Sequence, residues 1–250
     1  IIAALIIGGA ILISGGIGGR SVAGTTTTAT TDTTAPTQAG AVTVTQDQIQ
    51  ALFTNDNIYF GDPSSQLLFV EVSDPSCPYC HIAGGKNGEL NSSAGGQFTL
   101  VADGGSYVAP VVEMKKLVDE GKAAFVWIYS NGHGNGEIAT QALYCAHDQG
   151  KFWEAHDLEM SSAGYDLINN TVKNSTDQID TMADFLASVL DVNQLKDCMK
   201  SGKYAGRISQ DIALASSIGV SGTPGFFVNT TNFAGAYSFT DMESVVSQYL

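Results

Sequence analysis

The chain has 250 residues, 44% of them hydrophobic, enough for one domain of moderate size with a single core. Its formal net charge of −14, with 11 Lys plus Arg against 25 Asp plus Glu, excludes the basic footprint that a nucleic-acid partner needs and disfavours docking on anionic lipid. The acidity itself is read as an aid to solubility.

Residues 1–19 carry no charge and open Ile-Ile-Ala-Ala-Leu-Ile-Ile, a length compatible with a membrane span or the apolar part of a signal peptide. An uncleaved single-pass anchor is the expectation, because the run is long for a signal peptide and no A-x-A-like cleavage site follows it. Residues 20–41, rich in threonine, have no apolar periodicity and read as a disordered linker. Together they would hold a folded domain over 42–250 outside the cytoplasmic membrane, where disulfides persist.

From Val42 the pattern becomes globular. Thr45 to Phe53 reads as a short capped helix, and Asn57 to Phe60 as a short strand closed by Gly61-Asp62-Pro63. The apolar run Leu67 to Val72 is a buried strand. The helix after Cys80 is weakened by Gly84-Gly85, and the polar, glycine-rich stretch Asn91 to Gly105 receives no assignment. Val111 to Glu120 has helical spacing, and Ala123 to Tyr129 reads as a second, parallel buried strand. Helices are predicted over Ile138–His147, Phe152–Met160, Ile179–Leu190, Val192–Met199 and Tyr204–Ile218. A hairpin is predicted from Gly225–Asn229 and Phe233–Tyr237, followed by a last helix from Asp241.

Cys77-Pro78-Tyr79-Cys80 stands where the first long strand feeds a helix, the setting in which C-x-x-C is a dithiol/disulfide redox pair. Cysteines three apart lie on one side of a first helical turn, so their sulfurs can bond or part without moving the backbone. Pro78 suits that turn because its missing N–H would be an orphan donor there. Cys77, at the helix mouth, gains unpaired N–H groups and the positive end of the dipole and is the expected nucleophile. Cys80, one turn in, is the expected resolving thiol. A zinc site needs about four ligands, and no second C-x-x-C or H-x-x-x-H is present, with only His81 and His133 able to add to the pair. No metal, prosthetic group or other cofactor is expected. Tyr79 offers a neutral phenol beside the thiolate, which predicts a milder oxidant than a C-P-H-C site. His81, four residues after Cys77, either restores some positive charge or is a solvated surface histidine.

Cys145 and Cys198 each lie on a predicted helix. In an oxidising compartment they are expected to form a structural bridge, worth about 4 kcal/mol by loop closure, the alternative being two buried free thiols. Phe152, Trp153 and His156, at helical spacing, read as core.

Three separated motifs, Phe69 to Ser76 with the C-P-Y-C, Ala142 to Asp157, and Gly219 to Asn229, resemble the DsbA-like thiol–disulfide oxidoreductases over about 58–250. The resemblance implies an α/β thioredoxin-like fold with an inserted helical subdomain at about 137–203. It implies that Pro224 is a cis-proline facing the cysteines and that Thr223 and Pro224 line the substrate groove, where a plain trans turn would be the default. It further implies that Glu71, beneath the site, moves protons to the resolving thiol. Without the resemblance Glu71 would be a solvent-facing strand residue, with Asp74 the alternative acid. The stretch Asn87 to Ala109 departs from compact members of the family.

The expected function is thiol–disulfide exchange in secreted or membrane proteins, with unfolded or partly folded cysteine-containing clients and a membrane redox partner. A reductase or isomerase of the same fold, a non-catalytic client-binding module with an inert Cys77–Cys80 staple, and a metal-delivery protein are the alternatives.

Overall fold

The structure, a computed structural model, describes residues 43–54 and 56–250. The expected anchor over 1–19 and linker over 20–41 lie outside the described residues. Among the described residues no helix is long and apolar enough to cross a membrane.

Five strands, β1 (Ile58–Phe60), β2 (Leu67–Ser73), β3 (Ala123–Tyr129), β4 (Gly225–Val228) and β5 (Thr231–Ala234), form one sheet in the order β1-β3-β2-β4-β5. β2 and β3 are parallel, Leu67 opposite Ala123 and Ser73 opposite Tyr129, and every residue of both is buried. Such near-continuous apolar strands are what a sheet covered on both faces requires. The other pairings are antiparallel.

Helix α1 (Gln46–Gln50) precedes the sheet; α2 (Pro78–Gly84), α3 (Gly88–Ser93) and α4 (Pro110–Asp119) connect β2 to β3. The long connection from β3 to β4 carries α5 (Glu137–Asp148), α6 (Phe152–Glu159), α7 (Ser162–Asp166), α8 (Ile179–Phe185), α9 (Val192–Lys200) and α10 (Arg207–Ser217), and α11 (Phe239–Val246) follows the hairpin. Alternation along the central strands divides the core. Leu68, Val70, Val72, Val126 and Ile128 meet α1 and α10, whereas Leu67, Phe69, Phe125 and Trp127 meet α4, α5, α6 and α11. Each of these fully buried large side chains contributes about 1.5–3 kcal/mol relative to exposure.

The hairpin and α8 depart from the sequence reading for local reasons. Asn229 turns at φ 49°, its side chain accepting from Leu68 N at 2.8 Å and donating to Gln66 O at 2.9 Å, so the second strand begins at Thr231, and it ends at Ala234, before Gly235 turns the chain (φ 118°). α8 stops at Phe185 instead of Leu190: the chain continues in tighter turns, Leu186 N donating to Ala183 O and Val189 N to Leu186 O, before Asp191 leaves helical geometry to cap α9, accepting from Asn193 N and Gln194 N. The Cys145–Cys198 bridge is formed and ties α5 to α9. The unassigned stretch contains the end of α3, two 3-10 turns and Leu100, which bridges to Tyr107. It folds back because the buried Asn91 amide donates to Ile82 O and Phe98 O, and the Tyr107 hydroxyl reaches Ala236 O at 3.2 Å.

Candidate active site

β2 ends at Ser73, and the four residues before α2 are shaped by a carboxylate. Asp74, wholly buried, accepts from Ser76 N (2.8 Å) and Ser76 Oγ (2.7 Å) through one oxygen, and from Gly132 N and His133 N (2.8 Å each) through the other. Asp74 is thus a brace that fastens the 131–136 loop beneath the cysteines. Its polarity alone did not reveal this, since all its donors are backbone groups or a neighbouring serine. Two glycines permit the approach: a Cβ on Gly136 would overlap Asp74 Oδ1, and one on Gly132 would overlap Thr223 Oγ1. A π-helical turn over Leu167–Val172, absent from the sequence reading, brings Asn169 to donate to Ser76 O at 3.2 Å.

Cys77 is the N-cap of α2 with Pro78 at the first helical position, as its spacing predicts. Both thiols are free. Cys77 Sγ donates to Thr223 O at 3.4 Å, and the Thr223–Pro224 bond is cis, so the two distant motifs meet at the nucleophile. Cys80 is fully buried, its sulfur accepting from Asp74 N at 3.4 Å, and Met160 packs against both cysteines.

The electrostatics divide the pair. The Cys80 thiol donates to Cys77; with smaller help from the Thr223 side chain and the Cys80 and Tyr79 N–H groups, it overcomes burial and lowers Cys77 to about 6. Cys80 is pushed well above the ordinary thiol value, first by burial and then by Cys77 beside it. A readily ionised thiol at the helix mouth, 4% exposed, joined to a fully buried, protonated one is the division of labour that thiol–disulfide exchange uses.

The remaining site residues divide as follows. Tyr79 is 50% exposed and meets Phe98 edge-on, so the Asn87–Ala109 stretch borders the site. Thr223 and Pro224 line a cavity of about 270 Å³ with Val220, Asn232 and Ala234. Glu71 does not face solvent: it shares the Leu67 and Phe69 face of β2, is completely buried, and burial raises its carboxyl, opposed by nearby His156. His81 is neither a surface residue nor a cation beside Cys77. It is buried with its ring nitrogens 2.8 Å from Pro75 O and 3.0 Å from Met160 O, and burial lowers it to about 4. Its work is to lock α2 to the turn after α6. His133 is exposed, and no cluster of metal-ligating residues occurs among the described residues.

A family profile described as thioredoxin matches residues 111–248. Among curated proteins, the Na+/H+ antiporter NhaA 3 of Salinispora tropica is 27% identical over 189 residues, which is 74% of this chain and 24% of that protein. The chain thus spans about a quarter of the length of the curated relatives it matches. Among solved structures, α-DsbA1 of Wolbachia pipientis superposes with a TM-score of 0.58 at 17% identity, covering 80% of this chain and 95% of that one. Oxidised BdbD of Bacillus subtilis gives 0.56 at 16%, covering 78% and 92%. A profile running through more than half of the sequence, with a cysteine pair capping α2 opposite a cis-proline, places the chain in the thioredoxin family, with the DsbA-like form of its fold.

Proposed function

We propose that the chain is an extracytoplasmic thiol–disulfide oxidoreductase acting on cysteine-containing secreted or membrane proteins. The observation that carries the reading is the opposed behaviour of Cys77, which faces Thr223 O, and Cys80, three residues on and fully buried. A substrate thiolate attacks Cys77 of the oxidised pair and forms a mixed disulfide, while Cys80 leaves and is protonated. A second substrate thiol then releases the substrate disulfide and the reduced enzyme, which a membrane redox partner reoxidises. An extended client adds its backbone beside Thr223 and the exposed edge strand β5, main chain against main chain. Glu71 is the acid that supplies Cys80.

The formed Cys145–Cys198 bridge supports an oxidising compartment, and the uncharged run at 1–19 supports attachment to a membrane. The antiporter relative is a longer protein that contains a stretch similar to this chain, in keeping with a tethered rather than free domain.

The test is the reduction potential of Cys77–Cys80 against a glutathione buffer. A value near or above about −180 mV is expected and marks a net disulfide donor. A value near about −270 mV would assign the reductase or isomerase direction instead, and failure to exchange at all would leave the pair an inert staple.

A further inference from the structure

Behind Cys80 the face of β2 that meets the helical block is more polar than a core should be. Glu71, Ser73 and His156 are each at most 1% exposed, yet neither Glu71 oxygen, nor the Ser73 hydroxyl, nor either imidazole nitrogen has a hydrogen-bond partner among the described residues. Trp127, which pairs with Glu71 across the sheet, has an equally unpartnered indole N–H. Buried polar groups are nearly always satisfied, so a group of them packed together calls for a reason.

Their arrangement supplies one. The Ser73 hydroxyl lies near enough to the Glu71 carboxyl and the Cys80 sulfur to lower the proton affinity of each, without completing a hydrogen bond to either. The Trp127 ring meets Phe152 at 5.7 Å and His156 stacks on Phe152 at 5.7 Å, so the imidazole lies on the same side of the sheet as Glu71, near enough to oppose electrostatically the effect of burial on that carboxyl. On its other side His156 Nδ1 lies 3.5 Å from Asp157 Oδ1, and Asp157 Oδ2 is 2.6 Å from Lys86 Nζ, both of these side chains being more than a third exposed. Asp157 and Lys86 line a cavity of about 50 Å³ with Trp153 and Lys115, room enough for water. Other titratable groups near His156 are His81, held neutral on α2, and Glu159, buried on the same helix. A phenyl ring at 156 would pack between Phe152 and Trp153 without burying an unpartnered Nε2.

We propose that His156 carries protons between the buried Glu71 and solvent, reaching the surface through Asp157 and Lys86, so that Cys80 can gain or lose its proton without the core opening. The proposal rests on the redox reading of Cys77 and Cys80. When a substrate thiolate attacks Cys77, one S–S bond forms, the Cys77–Cys80 bond breaks, and its electron pair goes to Cys80. Glu71 then delivers one proton to Cys80 by way of Ser73, His156 returns a proton to Glu71, and water at Asp157 returns one to His156. In the opposite redox direction every transfer reverses, and no further reactant is needed.

The test is stopped-flow reduction of the oxidised full chain by dithiothreitol from pH 5 to 8. His156→Phe is expected to slow the reaction about ten- to a hundredfold and flatten its pH profile. The Cys77 titration and the reduction potential should stay at wild-type values, because a relay changes rates and not end states. Imidazole should restore His156→Ala, which leaves space for it, but not His156→Phe, and Asp157→Asn on the surface should slow the reaction in the same sense. Wild-type rates and pH profiles in His156→Phe and Asp157→Asn would overturn the proposal. So would a loss that imidazole does not rescue and that comes with a shifted Cys77 titration, as a merely structural role predicts. Should His156→Phe fail to fold, Asp157→Asn decides. A wild-type chain unable to exchange with dithiothreitol would instead reject the redox reading itself.

Discussion

Cys77 is activated by hydrogen-bond donors and not by a cation: His81 is neutral near pH 7, and Tyr79 points outward. The reduced protein should therefore show thiolate absorbance at 240 nm with a midpoint near 6, absent in Cys77→Ser. The sign of the linkage follows. A thiol whose folded pKa lies below its unfolded value stabilises the fold above the unfolded pKa, and that contribution disappears as pH falls through the folded one. The reduced wild type should thus gain about 4 kcal/mol relative to Cys77→Ser between pH 6 and 9, measured by urea unfolding, and equal slopes for the two proteins would reject the assignment. The place of Cys77 at the N-cap of α2 was legible because spacing and a helix mouth suffice to define it. Glu71 and His81 were misplaced by their own residues because β2 is buried on both faces and α2 is buried from Cys80 to Gly84, so polarity no longer marks the solvent side.

At the scale of elements, the site depends on a loop drawn tight under the cysteines. Gly136 and Gly206 offer a controlled comparison: both cap helices with right-handed backbone, φ −92° and −83°, so alanine carries the same local penalty at each. A Cβ at Gly206 meets nothing within 4 Å, whereas at Gly136 it runs into Asp74, which four donors hold in place. Gly136→Ala is expected to cost about 1–3 kcal/mol more than Gly206→Ala in denaturant unfolding, and equal costs would remove Asp74 from its bracing role. The central strands were legible end to end, β3 over Ala123–Tyr129 as read, since an apolar run between turn signals has few other folds. The Asn87–Ala109 stretch and the π-helical turn were not. Their shape is set by partners far along the chain, Tyr107 on Ala236 and Asn169 on Ser76, which local periodicity does not contain.

Across the described residues, the disulfide-bonded and the free cysteines occupy separate parts of the core. Cys77 and Cys80 pack with Met160, while Cys145 and Cys198 join α5 to α9 across 53 residues of sequence. In the chain-entropy account a closed loop of that length stabilises the fold by about 4 kcal/mol, a large part of the stability an ordinary domain has. The doubly substituted Cys145→Ala, Cys198→Ala protein should lose about that much in urea unfolding at pH 7. Its rate of dithiothreitol oxidation per folded molecule should be unchanged, because the groups that tune Cys77 come from α2 and from Thr223 and not from the bridged helices. If the bridge served catalysis, the rate would fall together with stability; α6 packs on α5 and also carries His156, which acts electrostatically on Glu71, so that coupling would pass through these two helices.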